Sequence, residues 1–274
     1  MPAVLLTGAA RGIGRAAVER LAGSGWDVYA GVREPLDFGV PGITPVVLDI
    51  TDAEQIAALD AALPERLDAV VNNAGVVVEG PLEALTPDDL RRQFEVNVIG
   101  QMAVTNAVLP RLRASKGRVV FVTSVSGLVS TPFIGAYCGS KFALEGMADA
   151  LRVELRPWGI KVVIVEPNST DTDMWRTADE RGVQAAAGWA PEHQRLYEKH
   201  TAGMRKLIAT VGKRTVPATD VVDAIETALT AARPRARYPV GIQSRIQIAA
   251  ATVTPAAVMD RVLSAAHGFP RKLD

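Results

Sequence analysis

Residues 4–14, Val-Leu-Leu-Thr-Gly-Ala-Ala-Arg-Gly-Ile-Gly, decide the fold of this 274-residue chain. The apolar run at their start predicts a buried strand, and an amphipathic stretch at 15–22 predicts a helix directly after it. Glycines at such a junction allow a tight turn and expose the amides of the helix N-terminus, which stabilise an anion such as a pyrophosphate. The spacing is G-x-x-x-G-x-G, and its position predicts a nucleotide-binding turn; an ordinary glycine-rich turn is the alternative.

The alternation of apolar runs and amphipathic stretches continues along most of the chain. Strands are predicted at 4–7, 28–32, 44–48, 69–72, 118–123 and 161–165, and helices at 15–22, 54–62, 90–114 and 142–156. Short β-branched runs separated by helices predict a parallel sheet covered on both faces, and right-handed crossovers make it doubly wound. We therefore expect an α/β protein with one Rossmann-type domain over residues 1–274.

Composition excludes several classes of function. The chain has 30 basic and 30 acidic residues, which gives no footprint for nucleic acid. The single cysteine, Cys138, excludes an internal disulfide and fits a reducing cytosol. The three histidines lack metal-ligand spacing, so no metal site is expected. Because the chain starts with a strand and has no bilayer-spanning apolar run, we expect no signal peptide, no transmembrane segment and a cytoplasmic location.

Two later segments depart from the strand–helix alternation. Residues 171–212 are polar and helix-prone, and their position after the last predicted strand suggests a flap over the edge where ligands bind; a surface helical insertion is the alternative. Residues 217–232 predict a further helix. The tail at 246–266 is helical and interrupted by Pro255, and packing on the core, on a partner subunit or on a membrane surface all stay open.

The residues that suggest chemistry are Tyr137 and Lys141, which share one face of a helix because they are four positions apart. A free tyrosine has a pKa of about 10, too high for a base at neutral pH, and a neighbouring ammonium is expected to lower it. Such a tyrosine can give a proton to a carbonyl oxygen or take one from an alcohol. Alone, the pair also occurs by chance on exposed helices.

Other candidate residues follow the predicted strands. Asp49 comes after the third strand and could meet an adenine amino group, or it could cap the helix that begins near Thr51. The segment 72–75, Asn-Asn-Ala-Gly, closes the fourth strand. Its small residues could let the backbone lie against a cofactor, or could simply form a turn.

Together these motifs resemble the classical short-chain dehydrogenase/reductase family over nearly the whole chain. The resemblance rests on T-G-x-x-x-G-x-G, N-N-A-G, Asn97, Ser124 and Y-x-x-S-K in that order. It implies NAD(P)-dependent interconversion of a carbonyl and an alcohol. The cofactor-binding residues that it implies are Gly8, Arg11, Gly12, Ile13, Gly14, Arg33, Asp49, Ile50, Asn73, Ala74, Gly75, Tyr137, Lys141, Pro167, Thr170 and Thr172.

The same resemblance implies four catalytic roles. Tyr137 is expected to be the acid/base, and Ser124 to hydrogen-bond the substrate oxygen. Lys141 is expected to hold the nicotinamide ribose hydroxyls and lower the pKa of Tyr137, and Asn97 to anchor a water in the proton relay. Ser124 is preferred to Ser126 because its distance of thirteen positions from Tyr137 matches the family. Alternatively, Asn97 could bond only nearby backbone, and Ser124 could only satisfy a strand end.

The end of the second strand bears on the choice of cofactor. NAD-preferring members usually carry Asp there to bind the adenosine ribose, whereas this chain has Val32 followed by Arg33. Arg33 and Arg11 could together grip a 2′-phosphate, so NADP(H) is expected in preference to NAD(H). The alternative is that both arginines are ordinary surface residues, and Glu34 would weaken the preference.

After the sixth strand the chain departs from the family pattern of Pro-Gly, an aliphatic residue and Thr. Pro167 and Thr172 match, but Asn168 replaces Gly and Thr170 replaces the aliphatic residue. Asn tolerates positive φ better than most residues, so we expect the turn to survive.

The segment 237–241, Arg-Tyr-Pro-Val-Gly, resembles the subset that includes retinol and 17β-hydroxysteroid dehydrogenases. This implies a bulky, apolar alcohol or ketone as substrate. Large flap side chains could line its pocket or could simply form core: Met174, Trp175, Trp189, Leu196, Tyr197, Met204 and Leu207. Members commonly form dimers and tetramers through the helices predicted at 90–114 and 142–156, so we expect a homo-oligomer.

Two other functions were weighed against the dehydrogenase. A nucleotide-sugar epimerase or dehydratase also uses Tyr-x-x-x-Lys, but would show G-x-x-G-x-x-G and a longer substrate domain. An NADP-binding redox sensor without turnover would be expected to lack the Tyr or Lys that this chain retains. The sequence therefore favours an NADP-preferring oxidoreductase.

Overall fold

The computed structural model describes residues 1–172, 176–211 and 215–269. In these ranges seven strands form one parallel sheet of order β3-β2-β1-β4-β5-β6-β7. The strands are β1 Ala3–Thr7, β2 Asp27–Val32, β3 Ile43–Val47, β4 Ala69–Asn72, β5 Arg118–Val122, β6 Lys161–Glu166 and β7 Arg237–Pro239. The strand order reverses between β1 and β4, which places a crevice at their carboxyl ends. The doubly wound fold expected from the sequence is confirmed.

Helices cover both faces of the sheet. They are α1 Gly12–Gly23, α2 Ala53–Ala62, α3 Pro87–Phe94, α4 Gln101–Ser115, α5 Gly135–Glu154, α6 Ala178–Ala187, α7 Pro191–Val211, α8 Ala218–Thr230, α9 Ile242–Val253 and α10 Ala256–Ala266. Alternate strand residues enter two different cores: Leu6 packs with α1 and α8, and Leu5 packs with α2, α4 and α5. No helix among the described residues is apolar over enough length to traverse a bilayer.

The helix predicted at 90–114 differs from the observed structure. It consists of α3, a π-helical turn at Glu95–Gly100 and α4. A π turn carries one extra residue, so it rotates the helix that follows. Such turns often mark functional sites. Asn97 lies within this turn.

Helix α5 begins earlier than predicted, at Gly135, so its first two turns contain Tyr137 and Lys141. Strand β7 was not predicted, because it has three residues, ends in Pro239 and lies at the sheet edge, where proline is tolerated.

Candidate active site

Ser124 and Tyr137 form the centre of the candidate site at the carboxyl ends of the strands. Ser124 follows β5 in extended conformation, and its Oγ accepts a bond from the Ser126 amide, which caps a short 3₁₀ turn. Its hydroxyl is hydrogen bonded to the Tyr137 phenol, whereas the Ser126 side chain is bonded to Cys138. Ser124 and not Ser126 is thus the hydroxyl beside the phenol.

Lys141 lies one helical turn beyond Tyr137 and is buried. Its Nζ donates to the Val122 carbonyl at 2.9 Å and lies 5.8 Å from the centre of the Tyr137 ring. Burial lowers the pKa of Lys141 to about 8, and the negative charge of Glu145 opposes this effect. At pH 7 most of the lysine therefore stays protonated.

The pKa of Tyr137 does not follow the expectation. Burial raises this pKa to about 12, and the hydrogen bond with Ser124 only partly offsets the effect. The low pKa expected for Tyr137 is not observed in this structure, because burial outweighs the stabilisation that Lys141, whose ammonium is bonded to the Val122 carbonyl, can give the phenolate. The phenol is neutral at neutral pH and is placed to donate a proton.

Asn97 is held in place by hydrogen bonds of its side chain. Its side chain is fully buried, accepts from the Val76 amide at 2.8 Å and donates to the Val76 carbonyl at 3.0 Å and to Ser140 Oγ at 3.1 Å. Its side chain therefore fastens the segment after β4 to α5. Among the residues predicted for the site, Asn97 alone does not line the cavity described below.

The glycine turn after β1 makes close backbone contacts. Gly8 has a φ of +70°, and a Cβ on it would come within 2.8 Å of the Ala74 Cα. A Cβ on Gly14 would lie 2.1 Å from the Gly8 carbonyl oxygen. Helix α1 starts at Gly12, and the preceding Arg11 gives it no side-chain cap, so the first amides of the helix are free to bind an anion.

The ends of β2 and β3 bring Arg33 and Asp49 together. The Asp49 carboxylate accepts bonds from the Thr51 amide at 2.9 Å and the Thr51 hydroxyl at 2.7 Å. These bonds, chiefly the one from the amide, and the charge of Arg33 lower the pKa of Asp49. Helix α2 is capped by Asp52, so the alternative role of Asp49 as its cap does not apply.

One cavity of about 1140 Å³ joins these features. The sequence-predicted residues that line it come from seven segments of the chain: Gly8, Arg11, Gly12, Ile13, Gly14, Arg33, Asp49, Ile50, Asn73, Ala74, Gly75, Ser124, Tyr137, Lys141, Pro167, Thr170 and Thr172. The glycine turn and the Tyr137 phenol thus open into one space.

The segment after β6 lies beside Ser124, since the Val125 amide donates to the Pro167 carbonyl at 3.0 Å. Asn168, which replaces the usual glycine, does not need its tolerance of positive φ here: among the described non-glycine residues only Lys116 and Phe133 have positive φ. Asn168 instead donates to the Gln247 side chain in α9 at 3.1 Å and accepts from the Ser169 amide. The turn is therefore tied to the C-terminal tail.

The C-terminal tail forms part of the cavity wall. Apolar residues on one face of α9 and α10 line it, including Ala250, Val258, Met259, Val262 and Leu263. Of the three possibilities left open by the sequence, packing on the body of the molecule is therefore the one observed.

Phe133 is a cavity residue that the sequence did not reveal. It has a φ of +67°, an uncommon conformation for an aromatic residue. Its ring contacts Trp189, Tyr197 and Phe269, with ring centres 6.1, 5.9 and 5.9 Å away. The loop before α5, the flap and the tail thus meet at one side chain.

The large flap side chains suggested from the sequence as pocket lining differ in their positions relative to the cavity. Trp189, Met204 and Leu207 line the cavity. Tyr197 contacts Phe133 without lining the cavity, and Leu196 is exposed. Met174 and Trp175 lie outside the described residues.

Comparison with known proteins identifies the family. The family model for short chain dehydrogenases matches residues 2–182 of the sequence. The chain belongs to the short chain dehydrogenase family. A 3-amino-tetrahydro-pyrrolizinone reductase of Xenorhabdus hominickii is 35% identical over 247 residues, covering 87% of this chain and 86% of that protein.

Two further short chain dehydrogenases give the same result. Retinol dehydrogenase 5 of Mus musculus is 33% identical and covers 95% of this chain and 87% of that protein. The similarity to retinol dehydrogenases inferred from residues 237–241 is thereby confirmed. A crystal structure of a short chain dehydrogenase from Burkholderia cenocepacia J2315 in complex with NADP has a TM-score of 0.75 at 27% identity, covering 96% of this chain and 97% of that one.

Proposed function

We propose that the protein is an NADP(H)-preferring oxidoreductase that interconverts a carbonyl and an alcohol on a bulky, apolar substrate. The observation that carries this proposal is the hydrogen-bonded Ser124–Tyr137 pair, which opens into the same cavity as the glycine turn. A redox sensor that only bound the cofactor would have no use for this pair.

The proton chemistry follows from the two hydroxyls. Tyr137 is neutral at neutral pH, and burial raises its pKa further, to about 12, so it donates a proton to the carbonyl oxygen during reduction and takes it back during oxidation. Ser124 donates a hydrogen bond to the same oxygen and stabilises the charge that develops on it. The protonated Lys141 stabilises a transient phenolate across the 5.8 Å to the ring centre.

The residues around the glycine turn fit a dinucleotide. A Cβ at Gly8 or Gly14 would fill the space in which the backbone approaches its ligand, and the uncapped start of α1 supplies amide donors for a pyrophosphate. Lys141 and the segment from Pro167 to Thr172 would hold the nicotinamide end. The bound cofactor would supply or accept the hydride at the substrate carbon.

The preference for NADP(H) rests on charge. Arg33 and Arg11 both line the cavity, and β2 ends in Val32 where an acidic residue would favour NAD. The structurally similar dehydrogenase from Burkholderia cenocepacia is in complex with NADP, which supports the same preference here.

The substrate class rests on the apolar side chains that line the same cavity as Tyr137, among them Val129, Trp189, Met204, Met259 and Leu263. Similarity to a retinol dehydrogenase and to a reductase of an amino-pyrrolizinone supports a carbonyl or alcohol as the reacting group.

Initial rates with NADPH and NADH against retinoid, steroid, quinone and short aliphatic carbonyls test the proposal. We expect turnover of a bulky apolar carbonyl, at lower KM for NADPH than for NADH. Turnover confined to short polar carbonyls would contradict the substrate class, and a lower KM for NADH would contradict the cofactor preference.

A further inference from the structure

The end of β5 is fastened to α5 by three consecutive residues. The Ser124 hydroxyl is bonded to Tyr137, and the Val122 carbonyl accepts from Lys141 Nζ at 2.9 Å. Between them in sequence, the Thr123 hydroxyl donates to the Glu145 carboxylate at 2.6 Å. The three partners on α5 follow one another at four-residue intervals and therefore lie on one face of the helix.

We propose that Glu145 extends the Tyr137–Lys141 pair by one helical turn, as a positioning residue that fixes the end of β5 and supplies the negative charge opposite Lys141. The proposal rests on the proposed function only in assigning Lys141 a part in catalysis. Glu145 itself does not line the cavity, so it acts through Thr123 and Lys141.

The Glu145 side chain is held from several directions. It is 4% exposed, and its second oxygen pairs with Arg237 of β7. Gly127, in the turn after Ser124, packs on it so closely that a Cβ there would lie 2.8 Å from the Glu145 Cγ. A buried carboxylate with two bonded oxygens has one available orientation, and this fixes Thr123 beside the catalytic Ser124.

Arg237 connects this carboxylate to two others. Its guanidinium also pairs with Glu166 of β6 at 2.9 Å and with Asp149 of α5 at 2.6 Å. The charged groups facing Glu145 are thus Arg237, Glu166, Asp149 and Lys141. Among these, burial and the neighbouring charge of Glu145 raise the pKa of Glu166 to about 7.

The negative charge of Glu145 opposes the effect of burial on Lys141, where burial lowers the lysine pKa to about 8. Without Glu145, Lys141 would lose its proton at a lower pH. The Glu145 carboxylate therefore keeps the Lys141 ammonium charged in the neutral pH range. In this range the neighbouring Tyr137 phenol gains and loses a proton in the proposed reaction.

The test is a pH titration of the Lys141 side chain by ¹⁵N NMR in the full chain, with the resonance assigned by Lys141→Arg. In Glu145→Gln the titration midpoint is expected to fall by about one pH unit. Arg152→Gln breaks an ion pair to Asp149 on the same helix and is the matched control, with an unchanged midpoint. Glu166→Gln removes the titration of the nearby Glu166 carboxyl, which identifies that titration in the unmodified protein. It is expected to leave the Lys141 midpoint unchanged.

A midpoint in Glu145→Gln equal to that of the unmodified protein would overturn the electrostatic role. Because Glu145→Gln removes one of the three carboxylates that pair with Arg237, the double variant Glu145→Gln/Arg237→Gln provides a second measurement with the same expected fall. Neither titration requires turnover, so a failure here is distinguishable from a failure of the proposed reaction.

Thr123→Val separates positioning from charge, since it removes the hydrogen bond to Glu145 and keeps the carboxylate. We expect kcat to fall about tenfold, the effect of one hydrogen bond, with the KM for NADPH and the Lys141 midpoint unchanged. An unchanged kcat would overturn the positioning role.

Discussion

Replacing Gly14 with alanine is expected to weaken cofactor binding strongly in a protein that still folds. A Cβ on Gly14 would lie 2.1 Å from the Gly8 carbonyl oxygen and 2.8 Å from Asn73 Nδ2, which itself donates to the Thr7 and Gly8 carbonyls. Because heavy atoms in contact are about 3.5 Å apart, the turn must open by about 1 Å.

Two magnitudes follow from this displacement. Overpacking of this kind costs about 1–3 kcal/mol of folding free energy, which a domain of this size can lose and still fold. A misplacement of about 1 Å at a binding site costs about 100-fold in function, so we expect the Kd for NADPH to rise by about that factor. Fluorescence titration with NADPH measures the Kd, and urea unfolding measures the stability.

Gly23→Ala is the matched control, because Gly23 ends the same helix and a Cβ there meets nothing within 4 Å. It should bind NADPH normally and unfold at equal or higher urea concentration, since alanine is favoured in helices by about 0.5–1 kcal/mol. A Gly14→Ala protein with unaltered NADPH affinity, or an equal loss in Gly23→Ala, would refute the close packing of the turn.

Three further predictions follow from charge and exposure. Arg33→Ala should raise the KM for NADPH about 10- to 100-fold and leave that for NADH unchanged in initial-rate assays; equal losses would exclude a 2′-phosphate contact. The pKa of Glu166 is raised from 4.5 to about 7, so its contribution to stability is present below pH 4.5 and lost as pH rises through 7. At pH 8, urea unfolding of Glu166→Gln should therefore give a free energy of unfolding about 3 kcal/mol higher than that of the unmodified protein. At pH 4.5 the two free energies should be similar. Equal unfolding curves at pH 8 would contradict this prediction. Phe142 and Met147 expose 43% and 41% of their surface on α5. Phe142→Glu should therefore convert an oligomer to monomers, as measured by light scattering. An unaltered mass would place the interface elsewhere.

The fold was predictable because its signals are local. Each inner strand is a short, largely apolar run, and residues such as Leu5 and Leu6 alternate between two cores, so the sequence pattern locates the sheet. The glycine turn was predictable for the same reason, since Gly8 and Gly14 act within a single strand–helix junction.

Features that depend on distant packing were not predictable. The contact between Arg237 and Glu145 joins residues 92 positions apart, and no local pattern indicates it. The pKa of Tyr137 was misjudged because spacing places Lys141 near the ring but says nothing of burial, which dominates. The bonds between the Asn97 side chain and Val76 were not predictable either, because they depend on the π turn, which is a tertiary feature.

Comparison of Tyr137→Phe with the unmodified protein tests the central claim most directly. NADPH affinity is measured by fluorescence, and turnover of the best carbonyl substrate by absorbance. Loss of the phenolic hydroxyl removes the proton donor and leaves the glycine turn intact, so we predict NADPH binding of normal affinity with kcat reduced at least about 100-fold. Turnover at the unmodified rate in Tyr137→Phe would contradict the account.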